Sequence, residues 1–143
     1  MKSSKSCLWL MATLLGLATS VAQAELAVIT NPDNPEAGLT KKQVKLIYLG
    51  KKKTFPGGMA VKPVDQKEES PVHAEFYDKV VGKRGAKLKS YWSKMVFSGK
   101  ASPPQVIGND AEVKAWVSRH KDALGYIDAS QADGSVKVLL TIP

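Results

Sequence analysis

The sequence predicts an α/β domain, a small mixed β-sheet flanked by helices, over residues 25–143. Three observations carry this expectation. Leu26–Thr30 is a short, apolar, β-branched run of the kind that forms a buried strand. Apolar residues recur at helical spacing between residues 70 and 97. Two more strand-like runs, Leu124–Ile127 and Val136–Leu140, lie towards the C-terminus. The expected order is β-α-β-α-α-α-β-β, which suits helices packed on a sheet.

The elements follow in chain order. Asn31-Pro32-Asp33-Asn34-Pro35 is a turn cluster that ends the first strand. Thr40 opens a helix, with Gln43 three residues on to complete a capping box. Val44, Ile47 and Tyr48 share its apolar face, and Gly50 supplies a left-handed cap. Lys51–Gly58 is a basic loop ending in a Pro-Gly-Gly turn, and Val61–Val64 is a second short strand before the polar stretch Asp65–Glu69. Ser70-Pro71 reads as an N-cap followed by the first helical residue. Val72, Phe76 and Val80 then step by four until Gly82. Leu88, Tyr91, Trp92, Met95 and Val96 form the most regular helical stripe in the chain. Pro103-Pro104 forces an extended connection. Asn109 and Glu112 make another capping box ahead of Val113, Trp116 and Val117.

Residues 1–24 carry the three parts of a secretory signal peptide: Lys2 and Lys5, the apolar core Leu8–Ala18, and the small-x-small site Ala22-Gln23-Ala24. The apolar run is shorter than the roughly 20 residues a membrane span needs. Cleavage after Ala24 is therefore expected, with the domain 25–143 exported and no span in the mature chain. The single cysteine, Cys7, falls within the signal, so the mature domain has no thiol for a disulfide or metal site. A small exported domain without disulfides suits a bacterial periplasm. Without Lys2 and Lys5 the formal charge falls from +8 to +6. That balance favours an anionic partner, and an exported chain makes nucleic acid a poor one.

At this point the residues resemble a known family. Ile47-Tyr48-Leu49-Gly50-Lys51, followed by Phe55-Pro56-Gly57-Gly58, resembles the "I-F-x-G-K…W-x-x-G" segment of the phosphate-binding proteins that serve ABC transporters. Val61–Val64 with Ser70 and Phe76 resembles that family's strand and anion-binding helix start. Trp92, Gly99, Pro103-Pro104 and Leu124-Gly125-Tyr126-Ile127 resemble its later landmarks, in the same order. The resemblance implies the fold of one lobe of a type II periplasmic binding protein, most like the second. Family members have two lobes and hold the ligand in the cleft between them. At the anion site the family reads Arg-x-Asp-x-Ser-Gly-Thr. Here Gln66 falls at the Arg position, Glu68 at the Asp, Ser70 at the Ser, Pro71 at the Gly and Val72 at the Thr.

The resemblance makes Gln66, Lys67, Glu68, Ser70, Pro71 and Val72 the candidate ligand-binding set. A helix N-terminus favours an anion, and Ser70 adds a hydroxyl donor. Pro71 removes one N–H, Val72 offers nothing polar, and Glu68 and Glu69 repel an anion. Lys67, Lys62 or a lysine of the 51–53 run is a possible replacement cation. Ser70 read only as an N-cap is the plainer alternative. The basic groups Lys51–Lys53 and Lys83, Arg84, Lys87 and Lys89 are either solvated faces or approaches for an anionic partner. His73 and His120 lack the spacing of a zinc site, and no nucleophile–base arrangement is visible, so no catalytic residue, metal or cofactor is expected. The leading expectation is a non-enzymatic periplasmic protein that binds a small oxyanion such as phosphate weakly or with a partner, a second copy supplying the missing wall in one version. The alternative is an envelope protein–protein interaction module that has lost the ligand site.

Overall fold

The computed structural model describes residues 25–143; the expected signal peptide and Cys7 lie outside the described residues. Five strands form one sheet in the order β3-β2-β4-β1-β5: β1 (Leu26–Thr30), β2 (Lys62–Gln66), β3 (Gln105–Gly108), β4 (Ala123–Asp128) and β5 (Lys137–Ile142). β1 runs antiparallel to both β4 and β5, while β2 runs parallel to β3 and β4. The helices are α1 (Lys41–Tyr48), α2 (Pro71–Phe76), α3 (Gly85–Phe97) and α4 (Asp110–Arg119). A π-helical turn, Tyr77–Val81, prolongs α2 to Gly82, whose φ of 76° is the left-handed stop the sequence implies.

The sheet is buried on both faces, which is why β1 reads as an unbroken apolar run rather than an alternating one. Leu26 and Val28 face α1, α2 and the π turn, together with Leu124 and Tyr126 of β4. Ala27 and Ile29 face α4, together with Val64 and Ile127. Gly125 permits the close approach of α4, because a Cβ there would lie 2.8 Å from Val113 Cγ1. No helix among the described residues is long and apolar enough to cross a membrane. Both expected capping boxes form, Thr40 with Gln43 and Asn109 with Glu112.

The structure corrects the sequence expectation in three places. The second strand is Lys62–Gln66 rather than Val61–Val64, so Asp65 and Gln66 are strand residues and buried. The extended stretch after Pro104 is a strand, β3, which pairs only with β2 at the sheet edge. Its four residues are mostly exposed, so they lack the apolar run that marks a buried strand. The α3 stripe is not a uniform core face. Trp92 is buried, but Val96 is 53% exposed, as is the neighbouring Phe97 at 95%, because α3 packs little against the other elements. Trp92 anchors α3 by packing beside Gly50. Since Trp92 also borders open space, Trp92→Ala should cost about 3 kcal/mol, the low end for such a truncation. A lowered urea midpoint checks this; an unchanged one would show that the indole carries no packing load.

Candidate functional site

The carboxyl ends of β2 and β4 meet the N-termini of α2 and α4, which brings Gln66, Ser70, Asp110 and Asp128 together. Gln66 is 1% exposed. Its Nε2 donates to Asp110 Oδ1 at 2.6 Å and to the Tyr126 carbonyl at 2.9 Å. Its Oε1 accepts from the Ser70 hydroxyl at 2.8 Å. Asp110 Oδ1 also accepts from the Asp128 N–H at 3.2 Å. The Ser70 hydroxyl therefore makes no capping bond to α2, although Ser70 holds the N-cap position and Pro71 follows at the first helical one.

Beneath Gln66 lies a second polar cluster that the sequence reading passed over. Asp65 is buried, and its Oδ1 accepts from the Gln66 N–H at 2.9 Å and from the Tyr126 hydroxyl. Its Oδ2 accepts from the Tyr77 hydroxyl at 2.5 Å. His73 stacks on Tyr77, ring centroids 4.4 Å apart, with Nε2 3.8 Å from Asp65 Oδ1. Burial, and then the Asp65 carboxylate, push the Tyr77 and Tyr126 hydroxyls far above their ordinary pKa. Burial does the same to Tyr48, whose hydroxyl donates to the Val64 and Leu124 carbonyls. Asp65 looked like the first residue of a polar loop; the signal that could have placed it was the strand continuing one full alternation past Val64.

The six candidate residues do not all converge. Gln66 and Ser70 meet, and Glu68 lines the same groove as Gln66. Lys67 and Pro71 are exposed, and Val72 packs against the hydrophobic core. Lys62 starts β2, at the far end of the strand from Gln66, where it stands 3.9 Å from Asp122. It therefore does not replace the missing Arg. Of the two histidines, His120 caps α4 and stacks on Trp116 at 4.0 Å.

Gln66, Asp65 and His73 also border a groove of about 1150 Å³ between α2 and α3. Its other side is mostly apolar, with Leu88, Trp92, Val96, Phe97, Pro103 and Val106 beside Lys89 and Ser93. Arg84 stands at its rim, 3.1 Å from Asp78. Asp65 and Glu68 line the polar end of this groove, where the Gln66 amide is already used by Asp110 and the Tyr126 carbonyl.

No family model and no curated protein sequence matches the chain. Solved structures do. A candidate phosphate ABC transporter substrate-binding protein from Clostridium perfringens, solved with bound phosphate, is similar at 24% identity and a TM-score of 0.65, over 81% of this chain and 45% of its own. An ABC-type phosphate transport receptor from Vibrio cholerae is similar at 23% identity and a TM-score of 0.65, over 81% of this chain and 46% of its own. A possible phosphate binding protein from Planctomyces limnophilus matches at 18% identity and a TM-score of 0.58. The chain thus spans less than half the length of these proteins, and the described residues have the fold of one periplasmic-binding-protein lobe.

Proposed function

We propose that the chain is a non-enzymatic, solute-binding-like protein of the cell envelope, exported by residues 1–24, that meets a small oxyanion such as phosphate only weakly at the Gln66–Ser70 cleft. The likeness to phosphate transport receptors supports the anion. The weakness rests on one observation: the Gln66 amide and the Ser70 hydroxyl, the donors an anion would need, are spent on Asp110, the Tyr126 carbonyl and each other. An arriving anion has to displace a carboxylate, and Gln66 lacks the charge that makes a bidentate Arg contact strong.

Calorimetric titration of the purified protein with phosphate should show binding of about millimolar strength at best, weakened further by salt. Gln66→Arg with Pro71→Gly and Val72→Thr should give little gain alone, because the new guanidinium would pair with Asp110. Adding Asp110→Asn should release it and tighten phosphate by about tenfold, the worth of roughly one charge-assisted bond. Micromolar binding by the wild type that Ser70→Ala abolishes would overturn the reading of a weak cleft.

One observation favours the second reading, an interaction module. Phe97, Val96 and Val106 are 95%, 53% and 59% exposed along the α2–α3 groove, and clustered exposed apolar side chains mark contact surfaces. If that groove docks a second copy, the mass in solution should be that of a dimer that Phe97→Ser dissociates.

A further inference from the structure

The basic run Lys51–Lys53 plays no part in the Gln66–Ser70 cleft, and the fold gives it a different neighbour from the one its sequence position suggests. Of the Lys83–Lys89 group, Arg84 and Lys89 border the α2–α3 groove. Lys52 and Lys53 instead line a cavity of about 380 Å³ with Lys100 and Ser102, from the segment that follows α3. Trp92, Gly50 and Pro63 are among the apolar residues that form the rest of its wall. No Asp or Glu lines the cavity, and none of the three lysines has a carboxylate partner within ion-pair distance among the described residues.

The frame holding these lysines is fixed on both sides. The Lys51 and Lys52 N–H groups donate to the Leu46 carbonyl at 2.9 and 3.2 Å, and the Lys53 carbonyl accepts from the Val61 N–H at 3.1 Å. The Lys100 N–H donates to the Met95 carbonyl at 3.0 Å. The two segments are clasped at Gly50, φ 70°, where a Cβ would lie 2.6 Å from the Ala101 Cβ. The Tyr91 hydroxyl adds a bond to the Leu49 carbonyl at 2.5 Å.

An ordinary reason for lysines at helix ends does not apply. A lysine often caps the last carbonyls of a helix. Here the Lys45, Leu46 and Ile47 carbonyls of α1 accept backbone N–H groups, as do the Lys94, Met95 and Val96 carbonyls of α3. Lys52, Lys53 and Lys100 are exposed and share the lining of this carboxylate-free space, where a multiply charged anion would relieve the repulsion among like charges.

We propose that Lys52, Lys53, Lys100 and Ser102 form a binding site for a phosphate-bearing anion of two or more charges. Lysines act on phosphate as point charges with rotatable donors, and the Ser102 hydroxyl provides a neutral one. The site is separate from the Gln66–Ser70 cleft. Its ligand is either a free anion or the headgroup of an anionic lipid, which share this chemistry.

The test is a titration of the purified protein with pyrophosphate at low salt, by calorimetry and tryptophan fluorescence, since Trp92 borders the cavity. Lys52→Gln/Lys53→Gln/Lys100→Gln should weaken binding by about tenfold or more, a loss of at least roughly one strong charge contact. Lys41→Gln/Lys42→Gln/Lys87→Gln, which removes the same net charge from exposed positions elsewhere, should change it less than about twofold. Ser70→Ala should leave it unchanged, which keeps this site distinct from the weak cleft. Equal losses in the two triple variants, or no pyrophosphate binding by the wild type, would overturn the proposal. Sedimentation with cardiolipin–phosphatidylcholine vesicles, whose cardiolipin headgroup bears two phosphates, against phosphatidylcholine alone, separates the sources. If the cavity variant loses vesicle binding as well, the site serves a lipid headgroup; if it loses pyrophosphate alone, the site serves a free anion.

Discussion

Raising the pH above about 10 should unfold this domain steeply and cooperatively. Tyr48, Tyr77 and Tyr126 are buried, with pKa values raised above the ordinary 10.0 by burial and by the Asp65 carboxylate. The folded state keeps all three hydroxyls protonated while the unfolded chain begins to lose its protons near pH 10. The unfolded state then binds fewer protons, so stability is fully present below the unfolded pKa and falls as pH rises beyond it. Each such tyrosine removes about 1.4 kcal/mol per pH unit, so three remove roughly 4. Against a domain stability of about 5–15 kcal/mol, this slope exhausts the stability about one to four units above pH 10, the earlier the less stable the domain. The measurement is tyrosinate absorbance followed with far-ultraviolet circular dichroism. The two should change together. Tyr91 lies outside the cluster and can ionise with the fold intact; tyrosinate from more than one residue appearing near pH 10 with the dichroism intact would show that the buried hydroxyls are accessible in the folded state, and would dissolve the Asp65 cluster as described.

Truncating Phe76 should cost about 3–5 kcal/mol, as Phe→Ala changes in packed cores do. Phe76 is fully buried at the end of α2. Its ring stacks on Tyr126 with centroids 3.8 Å apart and meets Tyr48 edge-on at 4.7 Å. Removing it unpacks the two tyrosines whose hydroxyls reach Asp65 and the Val64 and Leu124 carbonyls. The damage should therefore spread to the end of β2 and the start of α2, where Gln66 and Ser70 sit. A urea titration should show a much lower midpoint for Phe76→Ala, and Phe76→Leu should recover part of it by refilling some of the volume. A midpoint near the wild type would mean that the aromatic stack contributes little.

The two results test different depths of the sequence's information. Phe76 was placed on an apolar helical face by the Val72, Phe76, Val80 spacing alone, and the structure puts its side chain in the core. Val44, Ile47 and Tyr48 behave the same way, as do the two capping boxes and the Gly82 stop. These features are local: period, cap and left-handed glycine all act within a few residues, so they can be read before the chain folds. β3 could not be read in that way, since an edge strand needs only one pairing partner and little apolar sequence. Val96 fits a core stripe by spacing, but spacing gives only the face of a helix and not what lies opposite it.

By itself, then, the sequence determined the α/β layers, four helices and four of five strands, together with the resemblance that names Gln66 as the departure from an Arg. Only the tertiary structure decided what Gln66 does. Its partners Asp110 and Tyr126 lie 44 and 60 residues away in the chain. The same holds for Asp65 with Tyr77 and Tyr126, and for Lys52 and Lys53 with Lys100, which line one cavity beside the close approach of Gly50 to Ala101. Whether a donor is free for a ligand or already spent depends on the group placed opposite it. That placement is fixed by sheet order and helix packing, which bring together residues with no local spacing to reveal them.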